Sequence, residues 1–151
     1  MAGAVQTLSL SQLPAYGNQL GKELVGGDWQ RALKACLVAI KADTKKNFVE
    51  AHDPEGNAWL PLKRPRPGSK GKDRPLRDTG LLMASVSARG QGGYEQIEDT
   101  RLEMGTVLDY AGYQQDGTRF IPARPFLGFG PQLMDLIERI IGEEIDRRAA
   151  G

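Results

Sequence analysis

The side chains able to do chemistry in this chain are few and lie far apart. Its single histidine stands in His52-Asp53-Pro54-Glu55, which sets an imidazole beside two carboxylates. Such a trio would suit a metal-dependent hydrolase, with the ion activating a water. No second histidine or thiol lies nearby to complete a ligand set, so the run reads as a capped turn at a helix exit. Cys36, the one cysteine, is surrounded by apolar residues and reads as a core thiol. Glu143, Glu144 and Asp146 read as the solvated face of a final helix. Gly90-Gln91-Gly92-Gly93 lacks the strand, helix and lysine context of a phosphate loop. No catalytic residue, metal site or cofactor is expected, and the chain reads as a non-enzyme.

Two segments carry contact chemistry instead. Between Lys63 and Asp78 stand seven cations (Lys63, Arg64, Arg66, Lys70, Lys72, Arg74 and Arg77) against Asp73 and Asp78. Pro61 to Asp78 also holds four prolines and two glycines, with almost nothing to bury. This composition predicts a long exposed excursion, mobile without a partner. Its charges suit phosphate contact without base reading, but it lacks aromatic residues to stack on single strands. A protein partner, non-specific contact with DNA and a merely solvated arm all remain open for it.

The second segment is Ile121-Pro122-Ala123-Arg124-Pro125-Phe126-Leu127-Gly128. Prolines on either side of Ala123-Arg124 bias Ile121 and Arg124 to extended geometry. Arg124 is thus presented from a stiffened backbone, and its planar fork suits a carboxylate or several carbonyls. It either docks on another molecule or pairs internally with Asp109, Asp116 or the last helix; docking is the preferred reading. Arg124, Pro125 and Phe126, with Tyr110, Tyr113 and Gln114 upstream, form the candidate interface. Phe126 and Leu127 are expected to turn back toward the core.

The elements that position these residues follow from periodicity. At 151 residues and a formal net charge of +1, the chain suits one domain with no bulk pull toward nucleic acid or membrane. No signal peptide is expected, and the longest apolar run, Ala35 to Ile40, is far too short to span a bilayer. The chain therefore reads as a soluble product of a cytoplasm. Ser9 to Leu24 reads as a weak helix, within an N-terminal helix and linker over 1–27. Asp28 caps a main helix over 28–50, with Trp29, Leu33, Cys36, Leu37, Ile40, Thr44 and Phe48 on one stripe. An extended loop spans 51–80, with Trp59-Leu60 as a brief anchor. A sheet and docking loop span 81–130: Leu81 to Arg89 passes from a short helical or irregular turn into a strand, and Glu95–Asp99 and Arg101–Leu108 make two more. Asp109 to Gln115 then leads away from the sheet. A C-terminal helix spans 131–151, with Pro131 in its first turn. The expected class is α+β, an antiparallel sheet packed against N-terminal and C-terminal helices with a long basic loop.

Four blocks also resemble a known family. DPEGNAWLPL at Asp53–Leu62, LRDTGLL at Leu76–Leu82, GTVLDYAGYQQDGT at Gly105–Thr118 and IPARPFLGF at Ile121–Phe129 follow the order seen in the phage virion-morphogenesis family. That family includes the tail-completion proteins of contractile-tailed phages and their Mu-like relatives. The resemblance implies a structural part of the virion at the head–tail junction, assembled in the host cytoplasm. It would act in tail completion or head–tail joining, as a self-assembled ring, often a hexamer. Its partners would be tail tube or sheath and head–tail connector proteins, with no membrane involved. The runner-up is a DNA-binding accessory protein of packaging that uses the basic loop 63–77.

Overall fold

The computed structural model describes residues 3–10, 13, 28–63, 75–76, 80–88 and 90–150. A three-stranded antiparallel sheet is built around β3 (Arg101–Thr106), with β1 (Ala4–Ser9) on one side and β2 (Gly93–Glu98) on the other. Ala4, Gln6 and Leu8 stand opposite Thr106, Met104 and Leu102. Gly93, Glu95 and Ile97 face the same three residues from the other side. Because strand side chains alternate between faces, this register gathers Leu8, Leu102 and Met104 on one buried face. The opposite face is polar: Tyr94, Gln96, Glu98, Arg101 and Glu103 meet there, with the Tyr94 hydroxyl 2.6 Å from Gln96 and 3.1 Å from Glu103.

Among the described residues four helices accompany the sheet: α1 (Gln30–Glu50), α2 (Leu81–Ser87), α3 (Ala111–Asp116) and α4 (Pro131–Ala150). The Asp28 carboxylate accepts the Gln30 N–H at 3.0 Å, answering one of the unpaired donors at the start of α1. Trp29, Leu33, Cys36, Ile40 and Phe48 are buried along α1, and Leu133, Ile137 and Ile141 along α4. Together with Leu82 and Val86 of α2 they form one core against the sheet. At the β2 edge, Lys41 of α1 reaches Glu95 at 2.7 Å. This is the α+β arrangement the sequence implies.

Three local expectations give way. Ser9, read as the start of a helix, closes β1 instead; apart from Leu10 and Leu13, the rest of that predicted helix lies outside the described residues. The third strand therefore comes from the N-terminus and not from Leu81–Arg89, whose first seven residues form α2. Ala4, Gln6 and Leu8 carried the period-two signal, but one polar residue in so short a run hid it. The stretch from Asp109, expected to lead away from the sheet, runs into α3 at Ala111. The third correction concerns Glu144, which is only 6% exposed. Arg147 binds it through both nitrogens at 2.6 and 3.1 Å, and Arg148 adds a bond at 3.0 Å. Those hydrogen bonds hold its carboxyl below the usual range despite burial. Arg148 also lies 4.1 Å over the Trp29 ring and donates to the Asp28 carbonyl, tying the end of α4 to the start of α1.

β1 and β3 approach closely at Gly105. A methyl group there would run into the Ala4 carbonyl oxygen and lie 2.7 Å from the Val5 Cα. Both are main-chain atoms that cannot swing aside. Gly105→Ala should therefore cost about 1–3 kcal/mol, as overpacking does. Thermal unfolding should show the loss, and amide exchange should place it in β1; an unchanged melting point would refute the close approach.

Candidate functional site: a braced docking loop

Pro122 and Pro125 hold the segment 122–128 extended and deprive it of two N–H donors. It can form neither helix nor sheet, so its remaining main-chain groups need partners from elsewhere. Five of them find side chains. Gln115 of α3 accepts the N–H groups of Phe126 and Leu127 on one oxygen, at 3.0 and 3.1 Å. Its amide nitrogen donates to the Leu127 carbonyl at 2.8 Å. Asn47, buried on α1, donates to the Phe126 carbonyl at 3.1 Å, and the Trp59 indole N–H to the Pro125 carbonyl at 2.8 Å. The Arg124 N–H bonds the Gln114 carbonyl at 2.8 Å. Beneath these bonds the Phe126 ring sits 5.4 Å from Phe48, which meets Trp59 edge-on at 5.6 Å.

Arg124 turns inward. It is 5% exposed, and its guanidinium donates to the carbonyls of Leu60 at 2.8 Å and Pro61 at 3.1 Å. Its described partners are thus carbonyls at the mouth of the basic loop, not the carboxylates named for an internal role. Phe126 is fully buried as well. A docking role for these two side chains would run through the loop they hold, because neither reaches the surface of the isolated chain. Pro125 and Gln114 are half-buried, while Tyr110 and Tyr113 face outward. Lys63 is exposed; Arg64, Arg66, Lys70, Lys72, Arg74 and Arg77 lie outside the described residues.

The structure adds residues that sequence reasoning passed over. Gln115 and Asn47 do most of the bracing. Phe120 is the most exposed large apolar side chain among the described residues, at 79%. It projects from a tight tip: the Thr118 N–H bonds the Ile121 carbonyl at 2.8 Å, and the Thr118 hydroxyl accepts the N–H groups of Phe120 and Ile121. The Arg119 guanidinium lies 4.9 Å over the Phe120 ring. An aromatic residue three positions after Gly117 of the Asp116-Gly117 pair was the available signal. Helix α3 and this tip form a ridge between two clefts. One, of about 590 Å³, runs beside β1 along Val5, Val107 and Asp116. The other, of about 450 Å³, lies along Leu60, Pro61 and Phe120.

The His52 cluster is a turn. Asp53 accepts the N–H groups of Glu55 and Asn57, each at 2.9 Å, and His52 pairs with Ala58 as an isolated bridge. Pro54 packs against Gly128, joining the turn to the end of the docking loop. Among the described residues no group of histidine, cysteine and carboxylate side chains is placed to hold a metal ion. Burial pushes the Cys36 thiol up to about 12, so it is no nucleophile at neutral pH. No helix among the described residues is long and apolar enough to cross a membrane.

Comparison with known proteins bears on the same stretch of chain. The model of the phage virion morphogenesis family matches residues 9–146. Mu-like prophage FluMu G protein 1 of Haemophilus influenzae is 28% identical over 129 residues, which covers 84% of this chain and 84% of that protein. No solved structure matches.

Two outcomes follow from the geometry. Hydrogen bonds to a charged group are worth about 1.5–3 kcal/mol, so Arg124→Ala should destabilise the isolated subunit by about that much and lower its melting point by several degrees. Melting within a degree of wild type would show that the bonds to Leu60 and Pro61 hold nothing. The second outcome concerns His52, whose ring nitrogens lie 2.7 Å from the Asp53 carbonyl and 2.7 Å from the Glu50 carboxylate. Partial burial lowers its pKa, but these acceptors outweigh it and raise the value above the ordinary 6.5. The charged ring is thus favoured in the folded chain. Its stabilisation is full below the unfolded pKa and is lost as pH rises through the folded one. The melting point should fall across that window, and His52→Gln should flatten the fall; parallel pH profiles would refute the assignment.

Proposed function

The chain belongs to the phage virion morphogenesis family, and from that premise we propose that it completes the tail or joins it to the head by stereospecific docking, without catalysis. Family membership makes it a protein of phage virion assembly. The finer role rests on one observation: a loop in which side chains hold five main-chain groups of Pro125, Phe126 and Leu127, beside outward aromatic residues. Such bracing fixes surface shape before any partner arrives, which lowers the ordering cost of association. The proposed unit is a closed ring of identical subunits, with a hexamer as the expected order. It sits at the head–tail junction, between tail tube or sheath and the connector. Tyr110 and Tyr113 are proposed contacts to these neighbours, since their rings are outward while the main chain beside them is fixed.

A second reading, an accessory protein on packaged DNA, is favoured by the cation density of 63–77. It requires binding that weakens steeply with salt.

Negative-stain images of the purified protein should show rings. Changing Tyr110 and Tyr113 together to alanine should shift subunit stability by no more than about 0.5 kcal/mol per site, as exposed substitutions do. Filled heads and tails should nevertheless accumulate unjoined in a complementation assay. A normal yield of infectious particles from the double variant would overturn the assignment of these residues. DNA binding by the wild type that falls steeply between low and moderate salt would move the balance to the second reading.

A further inference from the structure

We propose that the Phe120 tip is the knob of a head-to-tail contact whose socket is the groove between α1 and α4 of a second copy of this chain. The inference rests on the self-assembly reading above and names the two surfaces that would carry it. On the knob side, Phe120 is 79% exposed and Leu60 59% exposed, which water does not favour for two large apolar side chains. Among the described residues the cleft between them is lined by two cations, Arg119 and Lys63, and by no carboxylate. A complementary surface must therefore be concave, apolar and able to receive a cation.

The groove between α1 and α4 has that character. Ala39 and Ala42 of α1 with Leu133 and Leu136 of α4 give it an apolar lining of about 260 Å³. Roughly 150 Å³ is enough to take in a benzene ring. Val38, one turn before Ala42 and 70% exposed, extends the wall, and Leu136 at 37% exposure forms the rim. The groove also holds Asp43, whose Oδ2 is buried and has no hydrogen-bond partner. Burial raises the pKa of this carboxyl, although Lys46 and His52 pull it down. A guanidinium arriving with the Phe120 ring would meet the Asp43 carboxylate in the groove lining, with a planar fork suited to it. Lys46 also lines the groove, so Arg119 would meet one cation and the Asp43 carboxylate there.

Knob and socket share no residue. The contact is therefore heterologous: each copy offers its knob to one neighbour and its socket to the other, the geometry from which closed rings are made.

Two single variants test this, Phe120→Ser for the knob and Leu136→Arg for the socket. Both positions are exposed, so each variant should fold, with thermal unfolding as the check. Sedimentation velocity should find rings for the wild type and monomers for each variant alone. In an equimolar mixture only one good knob meets one good socket, so the mixture should stop at a heterodimer. Rings from either single variant would overturn the inference while leaving self-assembly intact. A mixture that stays monomeric would also overturn it, because the two residues would then not face each other. A wild type that is monomeric at every concentration would overturn both the ring reading and this contact. Reversing the pair, with Arg119→Asp and Asp43→Arg combined in one chain, should restore rings that Arg119→Asp alone abolishes; failure to restore them would remove the ion pair from the contact.

Discussion

The structure depends on how the extended segment 122–128 satisfies its main chain. Two prolines exclude it from helix and sheet, and buried peptide groups left unpaired would each cost about 1–3 kcal/mol. The answer is side-chain amides and an indole acting as surrogate strands: Gln115 from α3, Asn47 from α1 and Trp59 from the turn after it. Each comes from a different element, so the loop cannot form until the helices and the 52–59 turn are in place. Arg124 returns the favour by holding the carbonyls of Leu60 and Pro61, which fixes the point where the basic stretch leaves the body.

This arrangement separates rigidity from contact. The polar groups that might have been read as recognition chemistry are spent inside the subunit, on its own main chain. Outside stand exposed apolar and aromatic side chains, Tyr110, Tyr113, Phe120, Val107 and Leu60, beside the cations Lys63 and Arg119. Exposed aromatic residues on a stiff frame are the usual anchors of protein interfaces, since they bury much area for little lost freedom. A protein whose work is assembly gains more from such a surface than from a reactive centre.

At the far end of the helical layer a second polar knot has the same logic. Glu144 sits nearly buried between Arg147 and Arg148, and Arg148 covers the Trp29 ring. A carboxylate so placed is tolerable because both of its oxygens are bonded. The knot ties the end of α4 to the start of α1.

Local sequence determined a good deal. The apolar stripe of α1, the start of α4 at Pro131, the β2–β3 hairpin and the Asp53 turn were all legible, because period and capping act within a few residues. So was the absence of any spacing suited to catalysis, and the four blocks that resemble the family. Tertiary structure decided the rest. Arg124 looked like an outward hook because its flanking prolines speak only for its backbone; its described partners lie 63 and 64 positions away. Glu144 looked solvated because helical spacing does not reveal two arginines folding back over it. Ala4–Ser9 is a strand because β3 offers it an edge and Gly105 lets it approach, neither of which a six-residue run can announce. Periodicity tells which face of an element is apolar, but only the packed chain decides what the polar exceptions on that face are bonded to.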